Sequence, residues 1–229
     1  MNAAERTLRQ EVIDTCRQLE SLGLNQGTSG NVSVRCGPDA AAGFFLTPTN
    51  LPYDRMVPED VVHVGLDGRC TGRCAPSSEL PFHLAVMRER SDAEAVIHTH
   101  SAHATTIACL RQEIPAVHYL VGLFGGENIR CADYATFGTA ELSTNLLRAL
   151  AGRRAALLAN HGLVVLGADL RQALALTLEA ETLATVYWRA RCAGEPVILP
   201  AAEMAAVVEK FRAFGYGPVG AGAVPPVRR

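Results

Sequence analysis

The chain has 229 residues, enough for one compact domain with a full core. Hydrophobic residues make up 48% and charged residues 19%, which excludes intrinsic disorder. Lys+Arg (21) nearly balance Asp+Glu (23), so no basic excess points to nucleic acid, and no apolar run is long enough to span a bilayer.

The first residues, Met1-Asn2-Ala3-Ala4-Glu5-Arg6, are polar and contain no apolar signal core, so a cytoplasmic protein is expected. Residues 3 to 22 read as a helix with Leu8, Val12, Ile13, Cys16 and Leu19 on one stripe, stopped by Gly23. The loop Leu24-Asn25-Gln26-Gly27-Thr28-Ser29-Gly30-Asn31 leads into the strand-like Val32-Ser33-Val34-Arg35. Phe44 to Thr47 and Val61 to Val64 read as further short strands, and Asp67-Gly68 as a turn. Cys70 and Cys74 fall in a Gly/Arg-rich segment that reads as a loop.

Pro76-Ser77-Ser78 precede a helix from Glu79 to Arg90. Ala93 to His98 is a strand, Ala102 to Leu110 a short helix, and Asn128 to Ala132 another strand. A helix follows over Gly138 to Leu150. Ala155 to Ala159 and Leu163 to Leu166 are strands flanking Asn160-His161-Gly162. Asp169-Leu170-Arg171-Gln172 has the form of a capping box and opens a long helix to Cys192. The last helix covers Ala201 to Phe214, and the Gly/Pro/Ala-rich tail from Gly217 to Arg229 is expected to be mobile. Strands and helices alternate irregularly, and adjacent strands read as hairpins. The expected architecture is α/β of the α+β-like kind: one domain over residues 1–216, with a mixed, largely antiparallel sheet covered by helices on both sides.

Lys210 is the sole lysine among 21 basic residues. It lies in an amphipathic helix, so neither a Walker A loop nor Schiff-base chemistry is expected. The seven cysteines are odd in number and scattered, which does not suit a disulfide framework.

The sharpest chemical signal is Val96-Ile97-His98-Thr99-His100. A strand period of two places both imidazoles on one face, suited to a first-row metal. The third ligand is His161 or His103, and His161 is the better placed: it sits in a tight hairpin at a sheet end, with Gly162 supplying freedom to turn. Three histidines leave a coordination position open, the mark of a catalytic site. His63, His83 and His118 read as structural. Three uncharged donor loops accompany this site: Gly27-Thr28-Ser29-Gly30-Asn31, Leu46-Thr47-Pro48-Thr49-Asn50 and Pro76-Ser77-Ser78-Glu79. The last enters a helix, whose N-terminus favours anions. Together they suggest a phosphate pocket with a metal at one end.

These segments resemble the class II aldolase/epimerase family, which includes the adducin head domain. The resemblance rests on Leu22 to Thr28 with Gly30 to Arg35, Thr47-Pro48-Thr49, Pro76-Ser77-Ser78-Glu79 and His98-x-His100. It continues through Ile114 to Tyr119, Tyr134 to Thr139 and His161-Gly162, all in the family's order. It implies a Zn²⁺ ion per subunit, held by His98, His100 and His161. Glu79 is then a ligand in the resting site and the catalytic base once substrate displaces it. Thr28, Gly30, Asn31, Thr49, Asn50, Ser77 and Ser78 hold the substrate phosphate. Tyr119 protonates the aldehyde oxygen from a neighbouring subunit of a homotetramer whose active sites lie at subunit interfaces.

The implied reaction is cleavage of a ketose 1-phosphate to dihydroxyacetone phosphate and an aldehyde. The ketose is L-fuculose 1-phosphate-like or a 5-deoxy- or 5-methylthio-pentulose 1-phosphate. Alternatives within the family are a sugar-phosphate 4-epimerase, a methylthioribulose-1-phosphate dehydratase or a non-catalytic assembly domain. The epimerases typically carry Asp where this chain has Glu79, and the intact histidines disfavour a purely structural role. Three departures from the family's aldolases stand out. Asn50 replaces a Gly, Leu123-Phe124 replace small residues, and Phe214 replaces a Tyr, with Tyr216 two residues later.

Overall fold

The computed structural model describes residues 1–37 and 42–215. Within them nine strands make one sheet: β1 (Asn31–Arg35), β2 (Phe44–Leu46), β3 (Val62–Val64), β4 (Cys70–Thr71), β5 (Ala95–Thr99), β6 (Ile114–Pro115), β7 (Asn128–Ala132), β8 (Ala155–Leu158) and β9 (Gly162–Gly167). Their order across the sheet is β4-β3-β2-β1-β5-β9-β8-β7-β6. Among the described residues, β7 and β8 run parallel and the other neighbours antiparallel.

The alternation of side chains along the strands splits the core into two faces. On one face Val96 of β5 and Val164 and Leu166 of β9 join Phe82, Val86, Leu142 and Leu146. Those four belong to α2 (Leu80–Glu89) and α4 (Ala140–Ala149). On the other face Ala95 and Ile97 meet α1 (Ala3–Ser21) and the start of α5 (Leu170–Ala193). Leu163 and Val165 meet the rest of α5, α3 (Ala102–Cys109) and Met204 of α6 (Ala201–Ala213). This is the expected mixed sheet with helices on both faces. No helix among the described residues is long and apolar enough to cross a membrane.

Local chemistry explains the boundaries. Asn2 and Glu5 form a reciprocal capping box at the start of α1. Gly23 then takes the left-handed backbone, φ 69°, that ends the helix. At α5 the expected box is only half formed. The Asp169 carboxylate accepts from the Gln172 N–H, but the Gln172 side chain reaches Ala168 instead of Asp169.

Short elements escaped the sequence reading. Cys70–Thr71, read as loop, is the edge strand β4, held by backbone pairing with β3. The 3-10 turns Pro58–Asp60 and Tyr119–Phe124 and the two-residue β6 are too brief to show a period. The Gly217 to Arg229 tail and Tyr216 lie outside the described residues.

Candidate active site

β5 is flanked by β1 and β9, and its end carries His98 opposite Asn31 on one side and Val164 on the other. His98 is fully buried and shares the α2 face with Val96. His100 follows one residue after the strand, and His161 lies in the β8–β9 hairpin. The ligand atoms of these three histidines lie within 4.8 Å of one another. His103 points elsewhere: its Nδ1 and its backbone N–H both meet the Glu181 carboxylate of α5, each at 2.8 Å.

Asn160, not Gly162, absorbs the turn of the hairpin. Asn160 has the left-handed φ of 53°, a region that Asn tolerates. Gly162 is required for space. A Cβ there would stand 2.4 Å from the Thr99 carbonyl oxygen and 2.9 Å from the His100 ring. The lack of a side chain lets β9 bring His161 against β5.

Glu79 completes the cluster from the N-terminal end of α2. Its Oε2 is 3.0 Å from His98 Nε2, and its Oε1 is 3.2 Å from His161 Nε2. His98 Nε2 is also 3.0 Å from His100 Nε2. The opposite nitrogen of His98, Nδ1, faces the Leu163 carbonyl at 3.0 Å. A carbonyl only accepts, so Nδ1 carries the hydrogen and Nε2 keeps its lone pair. Glu79 Oε1 is buried and finds no hydrogen-bond partner among the described residues.

The nitrogens of three imidazoles and the oxygens of Glu79 thus converge on a common point. Neutral nitrogens and a carboxylate oxygen repel one another at such distances unless a cation or proton lies between them. The donor set therefore fits a divalent first-row metal held by His98, His100, His161 and Glu79.

Charge follows the same logic. Burial alone would raise the Glu79 carboxyl; protons on His98 and His161 would hold it well below the usual carboxylate range, and a cation at the same point acts in the same direction. Burial pushes the His100 imidazole down to about 4, so it is a neutral ligand at pH 7.

From this cluster a cleft of about 390 Å³ opens outward. Thr28, Gly30, Asn31, Thr49, Asn50, Ser77 and Ser78 all line it. Local packing brings these loops together. A Cβ on Gly30 would overlap the Asn25 amide at 1.8 Å. Asn25 is buried there, donating to Tyr53 Oη and accepting weakly from the His100 N–H at 3.4 Å. Thr49 N–H donates to Ala75 and Ser77 N–H to Thr47, pinning the second loop to the third. The Ser77 hydroxyl oxygen accepts from the Glu79 N–H, which leaves its hydrogen free to donate. Asn31 turns its side chain inward: Nδ2 donates to Glu79 Oε2 at 2.9 Å.

The sequence reading assigned no role to Asn25, Tyr134, Phe137 or Asn160. Tyr134 and Phe137 are exposed aromatics on the cleft wall. Neither carries a periodic or metal-type signal that would single it out. Tyr119 is half-exposed on its 3-10 turn and stacks on Phe211, outside the cleft lining.

Comparison with known proteins decides what frame this geometry belongs to. The sequence matches the family described as Class II Aldolase and Adducin N-terminal domain over residues 10–188. The chain belongs to that family. It is 48% identical over 208 residues to the 5-methylthioribulose-1-phosphate/5-deoxyribulose-1-phosphate aldolase of Rhodospirillum rubrum, covering 91% of this chain and 92% of that one. It is 44% identical over 209 residues to an L-fuculose phosphate aldolase of Escherichia coli, covering 91% and 95%. A solved structure of L-fuculose 1-phosphate aldolase superposes with a TM-score of 0.86 at 38% identity, covering 90% of this chain and 96% of the other.

Within the class II aldolase frame, the three departures take physical form. Asn50 adopts φ 54°, so it keeps the left-handed backbone that a Gly would supply. Phe124 is fully buried in the core beneath α5 and Leu123 packs against it, so both fill the interior of their own chain. Phe214 is 64% exposed at the end of α6.

Two outcomes follow for the metal site. Gly162→Ala forces a Cβ against a backbone carbonyl, so it should cost about 1–3 kcal/mol in urea unfolding. It should also weaken metal retention against a competing chelator, because β9 can no longer hold His161 in place. The second concerns pH. Burial pushes the His83 imidazole down to about 3 from an ordinary 6.5. An unfolded chain takes up that proton below pH 6.5 and the fold does not, so stability is lost as pH falls from 6.5 toward 3. The urea midpoint of chelator-treated protein should drop across that window, with a shallower slope in His83→Gln.

Proposed function

We propose that this chain is a zinc-dependent aldolase that reversibly cleaves a ketose 1-phosphate to dihydroxyacetone phosphate and an aldehyde. The observation that carries the reading is the convergence of His98, His100, His161 and Glu79 at the inner end of a cleft lined by uncharged donors. The relatives' names point to L-fuculose phosphate or to 5-deoxy- and 5-methylthio-ribulose 1-phosphates, all ketose 1-phosphates.

His98, His100, His161 and Glu79 would hold a zinc ion, which would supply Lewis acidity toward the substrate's oxygens. Hydroxyls of Thr28, Thr49, Ser77 and Ser78, backbone near Gly30, and the amides of Asn31 and Asn50 bind the phosphate. The start of α2 adds its dipole. In the condensation direction Glu79 removes a proton from the hydroxyl-bearing carbon of dihydroxyacetone phosphate. The carbon so exposed bonds to the aldehyde carbon, and Tyr119 of the partner subunit delivers a proton to the aldehyde oxygen. Cleavage reverses each transfer.

The role given to Tyr119 needs an assembly. Leu178, Val186 and Trp188 are each 40% exposed or more along α5, and they supply an apolar surface for one. We assign a homotetramer with sites at subunit interfaces, located in the cytoplasm. Free thiols at all seven cysteines suit a reducing compartment. The family match and the helices up to Ala213 support one catalytic domain over residues 1–216, followed by a tail.

A panel of phosphorylated ketoses, coupled to detection of dihydroxyacetone phosphate, tests the reading directly. Turnover is expected with ketose 1-phosphates and not with 5-phosphates. Glu79→Gln should retain zinc by elemental analysis, because three imidazoles remain. Its turnover should fall by about two to four orders of magnitude, the usual worth of a positioned acid–base group. Wild-type protein should exchange the pro-chiral hydrogen of dihydroxyacetone phosphate with deuterated water, and Glu79→Gln should not. Normal exchange in the variant moves the base elsewhere.

A further inference from the structure

A second histidine system lies directly behind Glu79. Glu79 and His83 are four residues apart at the start of α2, so they share one helix face. Asn31 and Ser33 are two apart on β1, so they share the sheet face that α2 covers. Where the two pairs meet they form one hydrogen-bonded chain. Asn31 Nδ2 is 2.9 Å from Glu79 Oε2, and Asn31 Oδ1 is 2.5 Å from His83 Nε2. His83 Nδ1 is in turn 2.7 Å from Ser33 Oγ.

Hydrogen positions along this chain follow from its end. The Glu79 carboxylate only accepts, so the Asn31 amide nitrogen must face it. The Asn31 oxygen then faces His83, so His83 carries its hydrogen on Nε2. His83 Nδ1 is left as an acceptor, so the Ser33 hydroxyl donates to it. Every member is buried: His83 and Ser33 have no exposure, Asn31 4% and Glu79 5%. The Phe82 ring stacks on His83 with centroids 4.6 Å apart, fixing its plane. A flipped Asn31 amide would set its oxygen against the carboxylate and its nitrogen against the His83 N–H, losing both bonds.

We infer that His83 is a positioning residue for proton transfer: it locks the Asn31 amide so that Asn31 holds Glu79 Oε2 and leaves Oε1 to exchange the proton. The inference rests on Glu79 being the base. It gives a fully buried histidine a function that a core-filling residue does not need, since a phenylalanine would fill the same volume. It also assigns Asn31 a task at the carboxylate beside its place on the cleft wall.

The experiment compares His83→Phe, which keeps the ring volume and removes the donor, with His83→Gln, whose amide nitrogen reproduces the position of Nε2. In His83→Phe both kcat and the rate of hydrogen exchange in dihydroxyacetone phosphate should fall about 10–100-fold, the range for groups that orient a ligand from behind. KM and zinc content should stay at wild-type values, because neither the phosphate contacts nor the imidazoles have changed. His83→Gln should recover most of the loss. The pair Asn31→Ala with His83→Phe should show a kcat no lower than Asn31→Ala alone, since both break the same chain. Ser33→Ala carries the test should the Phe variant fail to fold: kcat falls several-fold at constant KM, and an unchanged kcat overturns the inference. Wild-type kcat and exchange in His83→Phe overturn it too, as does an equal loss in the Phe and Gln variants. Persistent exchange in Glu79→Gln overturns the base assignment along with it, so the two failures are read from different proteins.

Discussion

Aiming several lone pairs at one buried point is unfavourable, and this fold is arranged around that constraint. A buried carboxylate beside neutral imidazoles costs several kcal/mol unless a cation or well-made hydrogen bonds compensate. Such a cluster collapses unless its side chains are held from behind. His98 is anchored through Nδ1 to the Leu163 carbonyl, in the strand that pairs with its own. Glu79 is anchored through Asn31, in the strand on the other side. β5 is therefore a central strand, because both of its neighbours are needed to aim the ligands it carries or faces. Gly162 belongs to the same requirement, since only a residue without Cβ lets the hairpin close on Thr99.

The cleft divides its electrostatic work between its two ends. On the aldolase reading, the inner end supplies the positive charge through the metal. The outer loops offer hydroxyls, backbone and amides, and among the described residues no lysine or arginine lines the cleft. Neutral donors at the start of α2 bind an anion through many short contacts and fix its orientation. A flexible cation would attract the phosphate with less directional control. The carboxylate stays ionised in spite of its burial because positive charge on its histidine side, a proton or a cation, outweighs the loss of water. Burial and opposing partners thus act on one group, and the partners win because they stand within 3.2 Å of it.

Much of this was legible in the sequence, for reasons that differ by residue. His98 and His100 stand out because a period of two on an apolar strand leaves little choice of face. The long helices stand out because their stripes persist for several turns. β4 did not, because two residues paired at an edge leave no periodic trace, and Cys70 and Thr71 suggest nothing about pairing. The role of Gly162 was misread as a turn, although the neighbouring Asn160 takes the positive φ, because a glycine's freedom and its small size are indistinguishable in one sequence. His83 reads as structural from the sequence alone. Its i+4 spacing from Glu79 was visible, but its partners Asn31 and Ser33 lie fifty residues away along the chain and meet it only once β1 lies under α2.

One residue shows how far a single protomer carries the chemistry. Tyr119 belongs to the family's motif, yet here it stacks on Phe211 of α6, half-exposed and away from the cleft. Its own chain uses the surrounding turn to bury Val121 and Phe124 against α5 and α6, so the segment cannot swing inward without opening that core. A tyrosine fixed on the outside of one subunit reaches an active site only where another subunit presents its cleft to it. The apolar residues left exposed along α5 give such an encounter a favourable area term of roughly 25 cal/mol per Å² buried. On the proposed reading, assembly and proton delivery become one requirement: the surface that would hold the subunits together would also set where the Tyr119 hydroxyl stands.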